Sequence, residues 1–270
     1  MMKRCTNCPG KSNLISYLKG LFEDEGYDTD NLVNFKYWTS EEKHTQLKDM
    51  SENCEDFIEL LSNKLDKGTK HHFTAKAQAQ YLKWLKENLS SDEAIILLDF
   101  AENFSFVVQD AVQGFHWNND QATLHPFSVY SMVDGSLQCH SLCVISDERD
   151  HGAPTVHTFI SKVLPYIKEI IPNLKKVYYY SDGAGSQYKN CKNFTNLSFH
   201  KDDFDVDAEW HFFATSHGKS PCDGIGGTVK RLVALESLRR PLQNQILSPQ
   251  TEVSMCCRED KRNQIFLCNI

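Results

Sequence analysis

Four residues of strand-forming type, Val177-Tyr178-Tyr179-Tyr180, run through Ser181 straight into Asp182-Gly183-Ala184-Gly185. An apolar and aromatic run that ends in Asp-Gly-x-Gly predicts a buried strand delivering an aspartate into a loop that backbone or ligand can approach closely. Two further acids have comparable settings. Asp99 closes Ala94-Ile95-Ile96-Leu97-Leu98, and Asp223 opens a helical pattern soon after the aromatic stretch 210–213. Three carboxylates at the ends of core elements suit a divalent-metal phosphoryl-transfer site, because hard cations take oxygen ligands held on rigid supports.

The character of the chain changes at the polar break Ser90-Ser91-Asp92-Glu93. Beyond it, residues 95–100, 122–133 and 137–145 read as strands, the last two joined by a turn at Asp134-Gly135. Residues 154–171 carry a helical apolar face, with a kink or break expected at Pro165. A strand over 176–181, a helix over 186–199, a strand over 209–215 and a helix over 222–238 complete the series. The order β-β-β-α-β-α-β-α predicts an α/β mixed sheet flanked by helices, the order of a ribonuclease H-like fold. In such a sheet the first and fourth strands are neighbours. Asp99 and Asp182 would then meet, and the last helix would present Asp223 across from them. At about 100° per residue, Asp223, Gly227 and Lys230 share one helix face, opposite Ile225, Val229 and Leu232. Lys230 and Arg231, two turns beyond Asp223, are candidates for substrate phosphates, as are His217 and Lys219 in the loop before it.

Residues 1–90 read as an all-helical accessory region. Residues 12–22 place Leu14, Ile15, Leu18, Leu21 and Phe22 on one face; Leu47, Met50, Cys54, Phe57 and Leu61 recur at heptad-like steps over 42–65; a further helix starts near Thr74. Cys5 and Cys8 form half of a zinc knuckle, and a structural Zn²⁺ would need two more ligands brought by tertiary contact; a pair of free thiols is the plainer reading. Cys139, His140 and Cys143 resemble a metal pattern, but the two thiols would stand about 13 Å apart on an extended strand, too far to share one ion, so Cys139 and Cys143 are expected to be core thiols. Residues 91–245 form the main domain, and 246–270 read as a polar tail of a truncated copy.

Three stretches carry a family resemblance: Asp99-Phe100-Ala101-Glu102-Asn103-Phe104, the run from Ser181 to Asn190, and His217-Gly218-Lys219-Ser220-Pro221-Cys222-Asp223-Gly224-Ile225-Gly226-Gly227-Thr228-Val229-Lys230-Arg231. Together they resemble transposase-derived animal proteins whose catalytic domain looks like the DDE/D type of ribonuclease H-like nuclease. The resemblance implies Asp99, Asp182 and Asp223 as the catalytic, metal-binding triad, Mg²⁺ or Mn²⁺ as cofactor, DNA as substrate, and a homo-oligomer able to hold two DNA ends.

Other observations bound the function. The net charge of −7 argues against a protein that coats nucleic acid. No apolar window of membrane length exists, and the chain starts without the apolar segment of a signal peptide, so a nuclear or cytoplasmic location with reduced cysteines is expected. Gly224-x-Gly226-Gly227 lacks dinucleotide spacing, so no nucleotide cofactor is expected. The alternative to a strand-cutting and joining enzyme is a catalytically inactive, domesticated fragment that binds DNA or protein. A hydrolase with Asp182 as nucleophile ranks below both, since it leaves the other two acids without a role.

Overall fold

The computed structural model describes residues 10–41, 44–107, 121–215, 220–241, 244–248 and 266–269. The chain divides into two compact units, 1–76 and 77–270.

In the first unit, helix α1 (Gly10–Asp24) precedes strands β1 (Leu32–Glu41) and β2 (His44–Asn53) and the start of helix α2 (Cys54–Glu87). The two strands pair antiparallel along their full length, from Leu32 opposite Asn53 to Glu41 opposite His44. This corrects the all-helical expectation. Val33, Phe35 and Tyr37 alternate with exposed neighbours at the period of a strand, and such a face needs a partner strand. Met50 lies opposite Phe35, while Leu47 points to solvent. The heptad-like seam therefore holds only from Cys54 onward. Asn53 caps α2 by accepting the Asp56 N–H at 2.8 Å, which fixes where the helix begins.

The boundary between the units falls inside α2 rather than at Ser90-Ser91. The reason is packing. Leu85 and Leu89 are buried with Ile95, Leu97, Tyr178, Tyr180 and Cys222 of the second unit.

That unit holds strands β3 (Glu93–Leu98), β4 (Phe104–Ser105), β5 (Gln121–Val133), β6 (Ser136–Ser146), helix α3 (Ala153–Ile170), strand β7 (Lys176–Ser181), helices α4 (Cys191–Ser198) and α5 (His200–Phe204), strand β8 (Asp207–Phe212), helix α6 (Pro221–Arg239) and strand β9 (Phe266–Asn269). The sheet order is β8-β7-β3-β5-β6-β9, with β4 paired to β5. Pairs β3/β5 and β5/β6 are antiparallel; β3/β7, β7/β8 and β6/β9 are parallel. The expected adjacency of the first and fourth strands of the domain is present. So is the tight turn between β5 and β6, where Asp134 and Gly135 both take positive φ, 50° and 74°. The tail corrects its expectation: β9 returns to the sheet beside β6.

Alternation sorts the side chains into two cores. Ile96, Leu98, Phe127, Val129, Val177 and Tyr179 pack on the α3 face with Val156, Phe159, Val163 and Ile167. On the other face Ile95, Leu97, Tyr178 and Tyr180 meet the end of α2, and Leu124, Cys143 and Ile145 meet Ile225, Val229 and Val233 of α6. Helix α3 passes through Pro165 unbroken, because its buried stripe continues on both sides of that residue. Helix α4 starts five residues later than expected from Ser186: Asn190 accepts the Asn193 N–H at 2.9 Å and caps it, leaving 182–190 as a turn.

Candidate metal and phosphoryl-transfer site

Asp99 is the first residue beyond β3 and Asp182 the first beyond β7. In the β3/β7 ladder Leu97 stands opposite Tyr180. Two residues further along each strand, the same register sets Asp99 against Asp182, on strands about 4.8 Å apart. Both follow the parity of side chains that face α6. The β3/β5 ladder runs on past Leu98, with the Asp99 N–H donating to Pro126 O at 3.4 Å and the Ala101 N–H to Leu124 O at 2.9 Å. Pro126 has no N–H to return to the Asp99 carbonyl, so the ladder thins at that acid.

Asp223 comes from α6. The helix starts at a capping box in which Ser220 is the N-cap and Asp223 the third helical residue. Asp223 is exposed, on the face opposite the buried Ile225, Val229 and Val233, as its spacing predicts. Cys222, next to it, is buried with Sγ 3.4 Å from Leu97 O, which holds this first turn of α6 against the end of β3. Burial pushes the Cys222 thiol up to about 12, so it is a core thiol rather than a nucleophile. Gly226 permits the close approach: a Cβ there would lie 3.0 Å from Ala101 Cβ.

The three acids interact. Asp99 is pushed up to about 6 from 3.8, first by burial, then by the negative charge of Asp182 and, more weakly, of Asp223, against a backbone hydrogen bond with Phe100. A half-buried carboxyl in the field of two others is a place of excess negative charge, and its oxygens are the donors a hard divalent cation takes. By donor chemistry the residues fit Mg²⁺ or Mn²⁺. As they stand, the outer two face their own backbone: Asp182 Oδ1 accepts the Ala184 N–H at 3.1 Å, and Asp223 Oδ2 accepts the Ser220 N–H at a long 3.4 Å. Accordingly, among the described residues no three His, Cys, Asp or Glu side chains are grouped closely enough to hold a metal ion.

The cap offers a control on Asp223. Ser220→Ala removes the hydroxyl that accepts the Cys222 N–H at 3.2 Å and should cost about 1 kcal/mol in a urea melt. If the Asp223 carboxylate served the cap alone, Asp223→Ala would change nothing beyond a similar loss.

The other candidates separate clearly. Lys230 is half-buried and Arg231 exposed on α6, two turns from Asp223. Glu236, the other acid of α6, is paired with Arg240 at 3.2 Å. His217, Lys219, Cys5 and Cys8 lie outside the described residues. Cys143 is buried as expected, whereas Cys139 is exposed toward the other end of β6 and is not a core thiol; His140 is hydrogen-bonded to Ser131 at 3.2 Å.

Two residues that the sequence did not single out stand beside the acids. His125 of β5 is fully buried, and its Nε2 lies 3.0 Å from Tyr188 Oη. Burial holds this imidazole down at about 3, so it is neutral. Among the described residues its Nδ1, which is buried, has no hydrogen-bond partner. Such an orphan costs about 1–3 kcal/mol and usually marks a site kept for another reason. Tyr188 is raised well above 10 by burial and then by the charges of Asp99 and Asp182, so its hydroxyl lies in the field of both acids. A histidine at a core position of an apolar strand was the available signal.

Comparison with known families follows the same division of the chain. A model described as Domain of unknown function (DUF8701) matches residues 78–269, well over half of the chain. The chain belongs to that family. A second, Domain of unknown function (DUF8700), matches residues 1–69. The two matches meet near the boundary between the compact units, so the DUF8701 domain is the unit that carries all three acids and strand β9. No curated protein and no solved structure matches the chain.

Proposed function

We propose that the DUF8701 domain is a ribonuclease H-like, transposase-derived nuclease domain, in which Asp99, Asp182 and Asp223 serve divalent-metal-dependent cleavage and transfer of DNA strands. The observation that carries this reading is the placement of Asp99 and Asp182 at matching ends of two adjacent parallel strands and of Asp223 at the start of a helix, with Asp99 raised to about 6 by burial and then by the charges of Asp182 and Asp223. The sheet order, with β3 between β5 and β7 and with β8 beyond β7, supports it. Mg²⁺ or Mn²⁺ bound by these acids would activate the attacking water or 3′-hydroxyl and stabilise the leaving oxygen. The chain's own share is positional. Asp99 loses its proton to become a ligand, Asp182 and Asp223 turn from their backbone bonds, and Lys230 and Arg231, with His217 and Lys219, meet the phosphates of the DNA. A homo-oligomer would hold two DNA ends, and a nuclear or cytoplasmic setting suits the substrate.

One observation favours the inactive alternative, a domesticated fragment that binds DNA or protein. Asp182 and Asp223 each bond their own backbone, as acids at a loop and a cap do without any metal. No helix among the described residues is long and apolar enough to cross a membrane, which leaves both readings in place.

Calorimetric titration of the full chain with Mn²⁺, followed by addition of a labelled duplex, decides between them. Wild type should bind and nick; Asp182→Asn should do neither. Absence of Mn²⁺ binding by wild type at millimolar concentration would remove the catalytic reading and leave the binding module.

A further inference from the structure

Asp182 opens a turn that closes at Tyr188. The Ala184 N–H donates to Asp182 Oδ1, and the N–H groups of Tyr188 and Lys189 both donate to Ala184 O, at 2.9 and 3.0 Å. Within this turn only Tyr188 is fully buried. Its carbonyl accepts Asn193 Nδ2–H at 2.9 Å, and its hydroxyl meets His125 Nε2 on β5. Strand β5 is also the partner of β3 and bonds the backbone of Asp99 itself. A single side-chain hydrogen bond thus links the loop that carries Asp182 to the strand that holds Asp99. The ring of Phe100, the residue after Asp99, packs beside both partners, 4.3 Å from the His125 ring and 6.1 Å from that of Tyr188.

A second buried Tyr–His pair in the same domain shows what an ordinary one looks like. Tyr179 Oη lies 3.0 Å from His200 Nε2, and His200 Nδ1 donates to Val206 O at 2.7 Å, so both ring nitrogens are used. Among the described residues His125 has no such second bond, and its imidazole is held in the core by the bond to Tyr188 and by ring packing against Phe127 and Phe159. An apolar residue of like volume would fill that space without an orphaned nitrogen. What the histidine adds is the bond to the turn.

We infer that Tyr188 and His125 are positioning residues: their hydrogen bond locks the Asp182 turn to β5 and thereby fixes Asp182 beside Asp99. The consequence for cation binding rests on the function proposed above, whereas the lock itself does not.

The test compares Tyr188→Phe with Tyr179→Phe in the full chain. Each loses one buried Tyr–His bond, and each should lower Tm by a similar amount, about 2–4 °C. Amide hydrogen exchange in the metal-free chain separates them. Tyr188→Phe alone should speed exchange of the Ala184 and Lys189 amides about tenfold, with the β7 amides of residues 178–180 unchanged. It alone should also weaken Mn²⁺ binding about tenfold by calorimetry. If Tyr188→Phe does not fold, His125→Gln and His125→Leu pose the same question: the Gln amide reaches the place of Nε2 and should retain the protection that Leu loses. Equal exchange at Ala184 and Lys189 in the two tyrosine variants, or in the two histidine variants, overturns the lock. A wild type that binds no Mn²⁺ would overturn the cation reading, and selective loss of protection in Tyr188→Phe would still uphold the lock.

Discussion

Asp99→Asn should make the metal-free chain more stable at neutral pH while removing its divalent-cation affinity. Asp99 holds its proton to about 6 in the folded chain, against an ordinary value of 3.8. Between those values the native state binds more protons than the unfolded state, so stability falls as pH rises through this window, and the loss is complete above about 6. At roughly 1.4 kcal/mol per unit the loss is at most about 3 kcal/mol, discounted by whatever solvent reaches the half-buried carboxyl. Asparagine has no charge to repel. Urea melts of both proteins should therefore agree near pH 4 and diverge by up to about 3 kcal/mol by pH 7, the variant being the more stable. Comparing the two proteins cancels the opposite pH trend of Asp92 and Glu209, whose paired carboxylates are held below their usual values and add stability at higher pH. In calorimetry and nicking assays the same variant should lose more than the 10- to 100-fold typical of a residue that only supports a metal ligand. Stabilisation without loss of Mn²⁺ binding would show that the repulsion is real and the ligand role is not.

Three glycines of α6 should respond in opposite directions. Gly226 meets Ala101 Cβ at 3.0 Å and Pro126 Cγ at 3.4 Å from the position its own Cβ would take, and neither can retreat easily. Ala101 is held by its ladder bond to Leu124, and Pro126 is a rigid ring inside β5. Gly226→Val adds three carbons there and should cost about 2–3 kcal/mol by overpacking. It should also lift the first turn of α6 from β3, breaking the Cys222 contact with Leu97 O and moving Asp223 away from Asp99. Mn²⁺ affinity should drop with it. Gly224 and Gly227 have open space around the same position, and changing either to Ala should raise stability by about 0.5–1 kcal/mol through helix propensity alone. Denaturant midpoints of the three variants check the sign of each. A Gly226→Val chain as stable as wild type would mean that α6 does not approach the sheet this closely.

What the sequence alone determined is the local strand character. The runs 122–133, 137–145 and 176–181 became β5, β6 and β7 because each is a run of strand length, rich in apolar, aromatic and β-branched residues, and is bounded by turn residues such as Asp134-Gly135. The three acids were legible for the same reason, since each closes or opens a regular element. The hairpin of β1 and β2 was hidden because Leu47 and Met50 stand at helical spacing with Cys54, and the choice of strand depends on the aromatic face of β1 finding a partner. Strand β9 was hidden because four residues gain their ladder only from β6. His125 and Tyr188 lie far apart in the chain, and nothing in either neighbourhood predicts the other; only the packing of the Asp182 turn on β5 joins them. Local pattern is a property of neighbours in sequence, so the chain displays it openly. Pairing, close approach and the shared field of three carboxylates are properties of distance, and they come into being only when the sheet is assembled.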